Sequence, residues 1–170
     1  MSILPILEYP DKRLRTIASP IDAADLPMDA FIDDMFHTMY EAPGIGLAAT
    51  QVNFHKQLII LDISEDNSQP MVFINPRIIS QDGSQVYKEG CLSLPGIYAD
   101  VKRFNHITLQ ALDRNGKEIS IEAEGLLAVC IQHEMDHLVG KVFVDHLSPL
   151  KRSLAEKKLA KQRKLNAEEA

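Results

Sequence analysis

Met28, Ile32, Met35, Phe36, Met39 and Tyr40 recur at intervals of three and four residues, the spacing that lines one face of an α-helix. This helix is predicted to run to about Glu41, with Asp25 as its N-cap and Pro27 and Asp29 in its first turn. Pro43-Gly44 ends it. Its methionines read as core filler. Upstream, Asp11-Lys12-Arg13-Leu14-Arg15 reads as a helical turn after Pro10. From Leu58 the pattern becomes extended. Leu58 to Ile63 is predicted as a strand and Met71 to Ile74 as a second, ended by Asn75-Pro76, with Ile78-Ile79 opening a third. Gln81-Asp82-Gly83-Ser84 reads as a turn. Ile107 to Leu112 and Glu118 to Ala123 alternate apolar and polar, as half-buried strands do, around the hairpin turn Asp113-Arg114-Asn115-Gly116. Leu126 to Val139 is apolar almost all round, which predicts a buried helix, and Gly140 is placed to cap it.

Strands grouped between an early and a late helix predict an α+β fold, mostly antiparallel, around the central buried helix, with an N-terminal helix and a C-terminal basic helix. No internal repeat or linker interrupts the 170 residues, so one catalytic domain over 1–150 is expected, with a helical tail over 151–170 that is not a separate domain. No apolar stretch is long enough to cross a bilayer and the N-terminus lacks the form of a secretory signal. Two cysteines, Cys91 and Cys130, are too few for a disulfide scaffold. A cytoplasmic location, with no membrane and no DNA as partner, follows as the expectation.

Charge separates body from tail. Residues 1–150 carry 11 basic and 21 acidic side chains, and residues 151–170 carry 7 basic and 3 acidic. Leu154, Ala155, Leu159 and Ala160 are the tail's few, small apolar residues, so it is predicted to bury little against the body.

The chemistry concentrates on the buried helix, in Gln132-His133-Glu134-Met135-Asp136-His137. Histidines four apart share a helix face and can hold one metal ion, while the glutamate after the first can reach a water on that metal. Two histidines and an acid on a core helix are costly unless compensated, and a metal would compensate all three. A third ligand is needed. The metzincin pattern would require histidine where Phe143 stands. A thermolysin-like glutamate has only Glu156 to offer, inside the lysine-rich tail, so an HExxH metallopeptidase is the disfavoured alternative. Cys91, in Glu89-Gly90-Cys91-Leu92-Ser93, is the remaining soft ligand, though a free cysteine is as readily a small buried hydrophobe.

Three segments together resolve this. Gly44-Ile45-Gly46-Leu47-Ala48-Ala49-Thr50-Gln51, Glu89-Gly90-Cys91-Leu92-Ser93 and Gln132 to His137 resemble, in order and spacing, the signature motifs of the peptide deformylases. The likeness runs from Leu7-Glu8-Tyr9-Pro10-Asp11 through Leu147-Ser148-Pro149-Leu150, and the helical tail is similar to that of the bacterial type. The resemblance implies removal of the formyl group from N-formylmethionyl nascent peptides. It implies that Cys91, His133 and His137 hold one divalent ion, Fe2+ in the cell, with Zn2+, Ni2+ or Co2+ as substitutes. A water activated by that ion would attack the formyl carbon, with Glu134 as general base and then acid. The Gln51 amide and the Leu92 backbone N–H would steady the oxyanion. Ile45, Gly46, Glu89 and Gly90 would line the peptide cleft, and Leu126, Val129 and Cys130 the methionine pocket. The resemblance also puts the basic tail, 151–164, on the ribosome, and a monomer is expected. Tyr98 stands where some relatives carry arginine. Glu89 and Arg103 are read as either a brace for the Cys91 loop or an ordinary surface pair, and His37, His55, His106 and His146 carry no assigned chemistry.

Overall fold

A computed structural model describes residues 2–169. Helix α1 (Asp29–Glu41) is followed by β1 (Gly46–Ala48), β2 (Leu58–Leu61), β3 (Met71–Asp82), β4 (Gln85–Cys91), β5 (Leu94–Arg103), β6 (His106–Leu112) and β7 (Glu118–Glu124), then by α2 (Gly125–Leu138) and α3 (Pro149–Glu169). One sheet has the order β1-β2-β3-β6-β7, and β4 and β5 form a second. Every pairing among these seven strands is antiparallel, so the α+β expectation holds.

The continuous apolar run of β2 is explained by burial on both faces. Ile59 and Leu61 pack with Phe73, Leu109 and Ile131 on the α2 side. Leu58 and Ile60 pack with Ile32, Met35 and Met39 of α1 on the other. Helix α2 is thereby seated against the sheet with His133, Glu134 and His137 all buried. Gly140 ends it at φ +76°, where its amide donates to the His137 carbonyl at 3.1 Å. A side chain there would also strike the Arg15 backbone.

Three local expectations are corrected, and one element was not foreseen. Asp25 closes a separate 3-10 turn and α1 begins only at Asp29, because Pro27 holds Leu26 extended (ψ 151°) and the helix cannot pass through it. Asn75-Pro76 does not end a strand. Instead β3 runs through it with a shift of register, Asn75 taking φ 52° while its side chain binds the Ile21 amide and carbonyl at 2.8 and 2.9 Å. The hairpin β4–β5 around the Cys91 loop carries no clear two-residue alternation and was not foreseen. Nor is the tail loosely held. Leu159 is 3% exposed and joins Leu7, Tyr9, Ile97 and Phe143 in one cluster, and Tyr9 donates its hydroxyl to Glu156 at 2.6 Å. A single leucine on the right face sufficed, because its partners come from the N-terminal segment and β5, far away in sequence.

Candidate active site

Residues four apart on α2 bring the His133 and His137 rings to 5.2 Å between centroids. The thiol of Cys91, at the end of β4, lies 3.4 Å from His137 Nε2. One ligand atom from each of Cys91, His133 and His137 falls within 4.8 Å of the others, the only such group among the described residues. Tetrahedral bonds of 2.0–2.3 Å separate nitrogen and sulfur ligands by about 3.5 Å, so the donor set fits a single divalent ion. Glu156, the alternative third ligand, faces Tyr9 instead.

Behind the histidines lies an ionic chain. His133 Nδ1 donates to Glu89 Oε1 at 2.8 Å, which leaves Nε2 free for a cation. Arg103 clamps the same carboxylate with Nε at 2.7 Å and Nη2 at 2.8 Å, and reaches Asp136 with Nη1 at 2.7 Å. Asp136 in turn accepts from His146 Nε2 at 2.8 Å. Glu89 and Arg103 are therefore a buried brace, the first of the two sequence readings. Burial works against ionisation of Glu89, yet the hydrogen bonds of Arg103 and His133 hold its carboxyl below the usual value.

Burial pushes Glu134 up to about 7, and its Oε1 has no hydrogen-bond partner. Burial also disfavours a charged His133, but the negative charge of Glu134 and the Cys91 and Glu89 contacts outweigh it and raise that histidine well above its ordinary value. His137, lowered by burial and by neighbouring positive charge, stays neutral, with Nδ1 unpartnered.

A cavity of about 610 Å³ opens onto these groups, lined by Ile45, Gly46, Gln51, Gly90, Cys91, Leu92, His133 and Glu134 among others. Gln51 is fully buried. Its Oε1 accepts from the Ala48 amide at 2.9 Å and its Nε2 donates to Ser93 Oγ at 3.0 Å, with Cys91 Sγ 3.5 Å away. A Cβ on Gly46 would collide with the Glu134 carboxylate. Close approach, rather than a plain turn, is why glycine stands there. Glu89 lies behind His133 and does not line the cavity. Neither do Leu126, Val129 and Cys130, of which Leu126 and Cys130 pack with the α2–sheet core; burial pushes the Cys130 thiol up to about 12. Sequence reading missed Ser93, Tyr87 and Asp136 with His146. Of these, only Ser93 and Asp136 stood in segments that the sequence singled out, without a role being read for them.

An α+β domain whose buried helix turns two histidines and a glutamate toward a strand-end cysteine has the site of a mononuclear metallohydrolase. The polypeptide deformylase family model matches residues 3–153. The chain is 64% identical over 167 residues to peptide deformylase 2 of Xanthomonas axonopodis pv. citri, covering 96% of this chain and 98% of the relative. It is 62% identical, with the same coverage, to the peptide deformylase of Stenotrophomonas maltophilia K279a. The crystal structure of a peptide deformylase from Legionella pneumophila superposes with a TM-score of 0.93 at 49% identity over 98% of both chains. That from Ehrlichia chaffeensis in complex with actinonin gives 0.89 at 41% identity, covering 95% of this chain and 98% of that one. The chain belongs to the peptide deformylases, metal-dependent hydrolases that remove the N-formyl group from nascent peptides. No described helix is long and apolar enough to cross a membrane.

Proposed function

We propose that Cys91, His133 and His137 hold one ferrous ion and that this site hydrolyses the formyl group of N-formylmethionyl peptides. The observation that carries the reading is the convergence of the three ligand atoms within 4.8 Å of one another, beside Glu134. When bound, the ion would supply Lewis-acid polarisation and an acidified water. Glu134, buried and with Oε1 free, takes the proton of the attacking water and returns it to the departing amine as the C–N bond breaks, giving formate and a free N-terminus. Gln51 has one amide hydrogen committed to Ser93. Its second hydrogen, directed at Cys91 Sγ at 3.5 Å, would turn with the Leu92 N–H to the developing oxyanion, each donor being worth about 3–4 kcal/mol.

Strand β1 supports the peptide-binding part. It lies at the sheet edge, paired only with β2, so Ile45 and Gly46 can offer backbone groups to an extended substrate. Gly90 lines the opposite wall. Val129 and Cys130 sit one helical turn before His133 and Glu134, outside the cavity lining, so with Leu126 they would wall the methionine side chain only where it reaches past that lining. Two imidazoles and a thiolate accept Fe2+, Zn2+, Co2+ or Ni2+; iron is chosen on family resemblance.

Residues 1–150 form the catalytic unit, and the tail carries it to the ribosome. Opposite the buried Leu159, α3 exposes Lys157, Lys161 and Lys164, a row suited to ribosomal RNA. The protein acts as a monomer in the cytoplasm. Formate release from a formyl-Met peptide by protein loaded anaerobically with ferrous iron tests the chemistry. Cleavage of internal peptide bonds in its place would overturn it. Air should inactivate the iron form and spare a slower zinc form; equal air stability would remove the case for iron. Co-sedimentation with ribosomes should be lost in the full chain carrying Lys157→Glu, Lys161→Glu and Lys164→Glu, and binding that survives would release the tail from this role.

A further inference from the structure

A second groove, of about 400 Å³, runs between β5 and α3. It shares Lys88 and Tyr98 with the catalytic cavity, so the two lie side by side across those residues. Its base is apolar. Ile97 is buried, whereas Leu154 remains 56% exposed and Tyr98 63% exposed. Along its rim stand Lys88, Lys151 and Lys158, all exposed, with Asp100 as the only acid.

The arginines of α3 are committed elsewhere. Arg152 pairs with Asp145 and Glu156, and Arg163 with Glu8. Among the described residues none of the three lysines takes part in an ion pair. Lys151 and Lys158 are seven residues apart and share a face of α3, while Lys157 points about 100° away, toward the row proposed for RNA. The helix thus has two separate basic faces, and one borders the mouth of the catalytic cavity.

The geometry points to this groove as the binding track for the part of the nascent chain that follows the residues held at the metal site, with a preference for acidic side chains interspersed with apolar ones. Adjacency to the cavity, across the shared Lys88 and Tyr98, supplies the path. Leu154, Ile97 and the Tyr98 ring offer contact to apolar side chains, and the three unpaired ammonium groups select carboxylates. Tyr98 lies where both volumes meet, so this face of the ring serves the downstream chain. The inference rests on reading the cavity as the formyl-peptide site.

The test uses the full, metal-loaded chain without ribosomes. Its substrates share the start formyl-Met-Ala-Ser and differ in a five-residue tail, acidic and apolar, neutral, or basic and apolar, with formyl-Met-Ala-Ser alone as reference. At low ionic strength kcat/KM for the acidic tail should exceed that for the basic tail by about five-fold, the size expected of two or three exposed ion pairs. The difference should reside in KM and fade as salt rises. With Lys151→Glu and Lys158→Glu together, the ratio of acidic to basic tails should invert, a readout from which any general loss cancels. Equal kcat/KM for all tails in the wild type would overturn the track whether or not the variant folds. So would an acidic preference that survives the double reversal, and if that variant instead loses ribosome co-sedimentation, the groove belongs to RNA. Failure to hydrolyse even formyl-Met-Ala-Ser would count against the reading of the cavity itself.

Discussion

The carboxylate of Glu89 accepts the Nδ1 proton of His133 at 2.8 Å and is gripped from behind by the Arg103 guanidinium at 2.7 and 2.8 Å. One side chain from β4 therefore orients a metal-site imidazole on α2 and neutralises a buried cation on β5. The two jobs predict two separable losses. Glu89→Ala should weaken metal affinity by about 10- to 100-fold, because the imidazole loses its orienting acceptor. It should also destabilise the fold by about 3–5 kcal/mol, since Arg103 is left buried with only Asp136. Chelator competition and urea unfolding of the same variant measure the two effects. A stable protein with unchanged metal affinity would dismiss the brace.

Cys91 and Glu134 should separate into ligand and acid–base group. Cys91→Ser replaces a thiolate by a hydroxyl that keeps its proton, so metal content after dialysis should fall. Glu134→Gln should retain the metal and lose about 100- to 10,000-fold in kcat. Metal analysis beside steady-state rates checks both. A Glu134→Gln protein turning over near the wild-type rate would clear Glu134 of any part in proton transfer.

Gly46→Ala tests the close approach directly. Its new Cβ must displace the Glu134 carboxylate, so kcat should drop by about ten-fold or more, since misplacement on the ångström scale is expensive at a reacting centre. Metal content should be unchanged. Ala at this position with normal kcat would mean that the carboxylate moves freely.

Acid should loosen the seat of α3. Burial pulls the Asp145 carboxyl upward, but the Arg15 hydrogen bond, the Val142 amide and the charges of Arg15 and Arg152 outweigh it and hold Asp145 below the ordinary value. A folded-state pKa below the unfolded one gives stability that is present above the unfolded value, about 3.9, and lost as pH falls through the folded value. Asp145→Asn should therefore unfold at lower urea than wild type at pH 7, and the two midpoints should converge as pH falls below the unfolded value and then through the lower folded one. A gap that is constant with pH would assign the effect to packing.

The buried Leu159 makes the tail part of the core. Leu159→Ala should cost about 2–4 kcal/mol, and truncation after Leu150 should cost at least as much, lowering the thermal midpoint. An unaltered midpoint would return α3 to the loosely held helix that its composition suggested.

Local pattern determined much of this protein. The 3.6-residue spacing of α1 and α2, the alternation of β6 and β7, the turns at Asp82-Gly83 and Asn115-Gly116 and the Gly140 cap were all legible, because each is governed by interactions within a few residues. The motif from His133 to His137 was legible for the same reason: one helical turn sets its geometry. Tertiary structure decided the rest. The β4–β5 hairpin, the passage of β3 through Asn75-Pro76 and the burial of Leu159 each depend on partners distant in sequence, which local spacing does not encode. Spacing alone left Cys91 open between ligand and buried hydrophobe, and only the fold sets its sulfur 3.4 Å from His137 Nε2. The chain from His133 through Glu89, Arg103 and Asp136 to His146 joins β4, β5, α2 and the turn after α2. A charged side chain announces that it needs a partner, but only packing decides which one it gets.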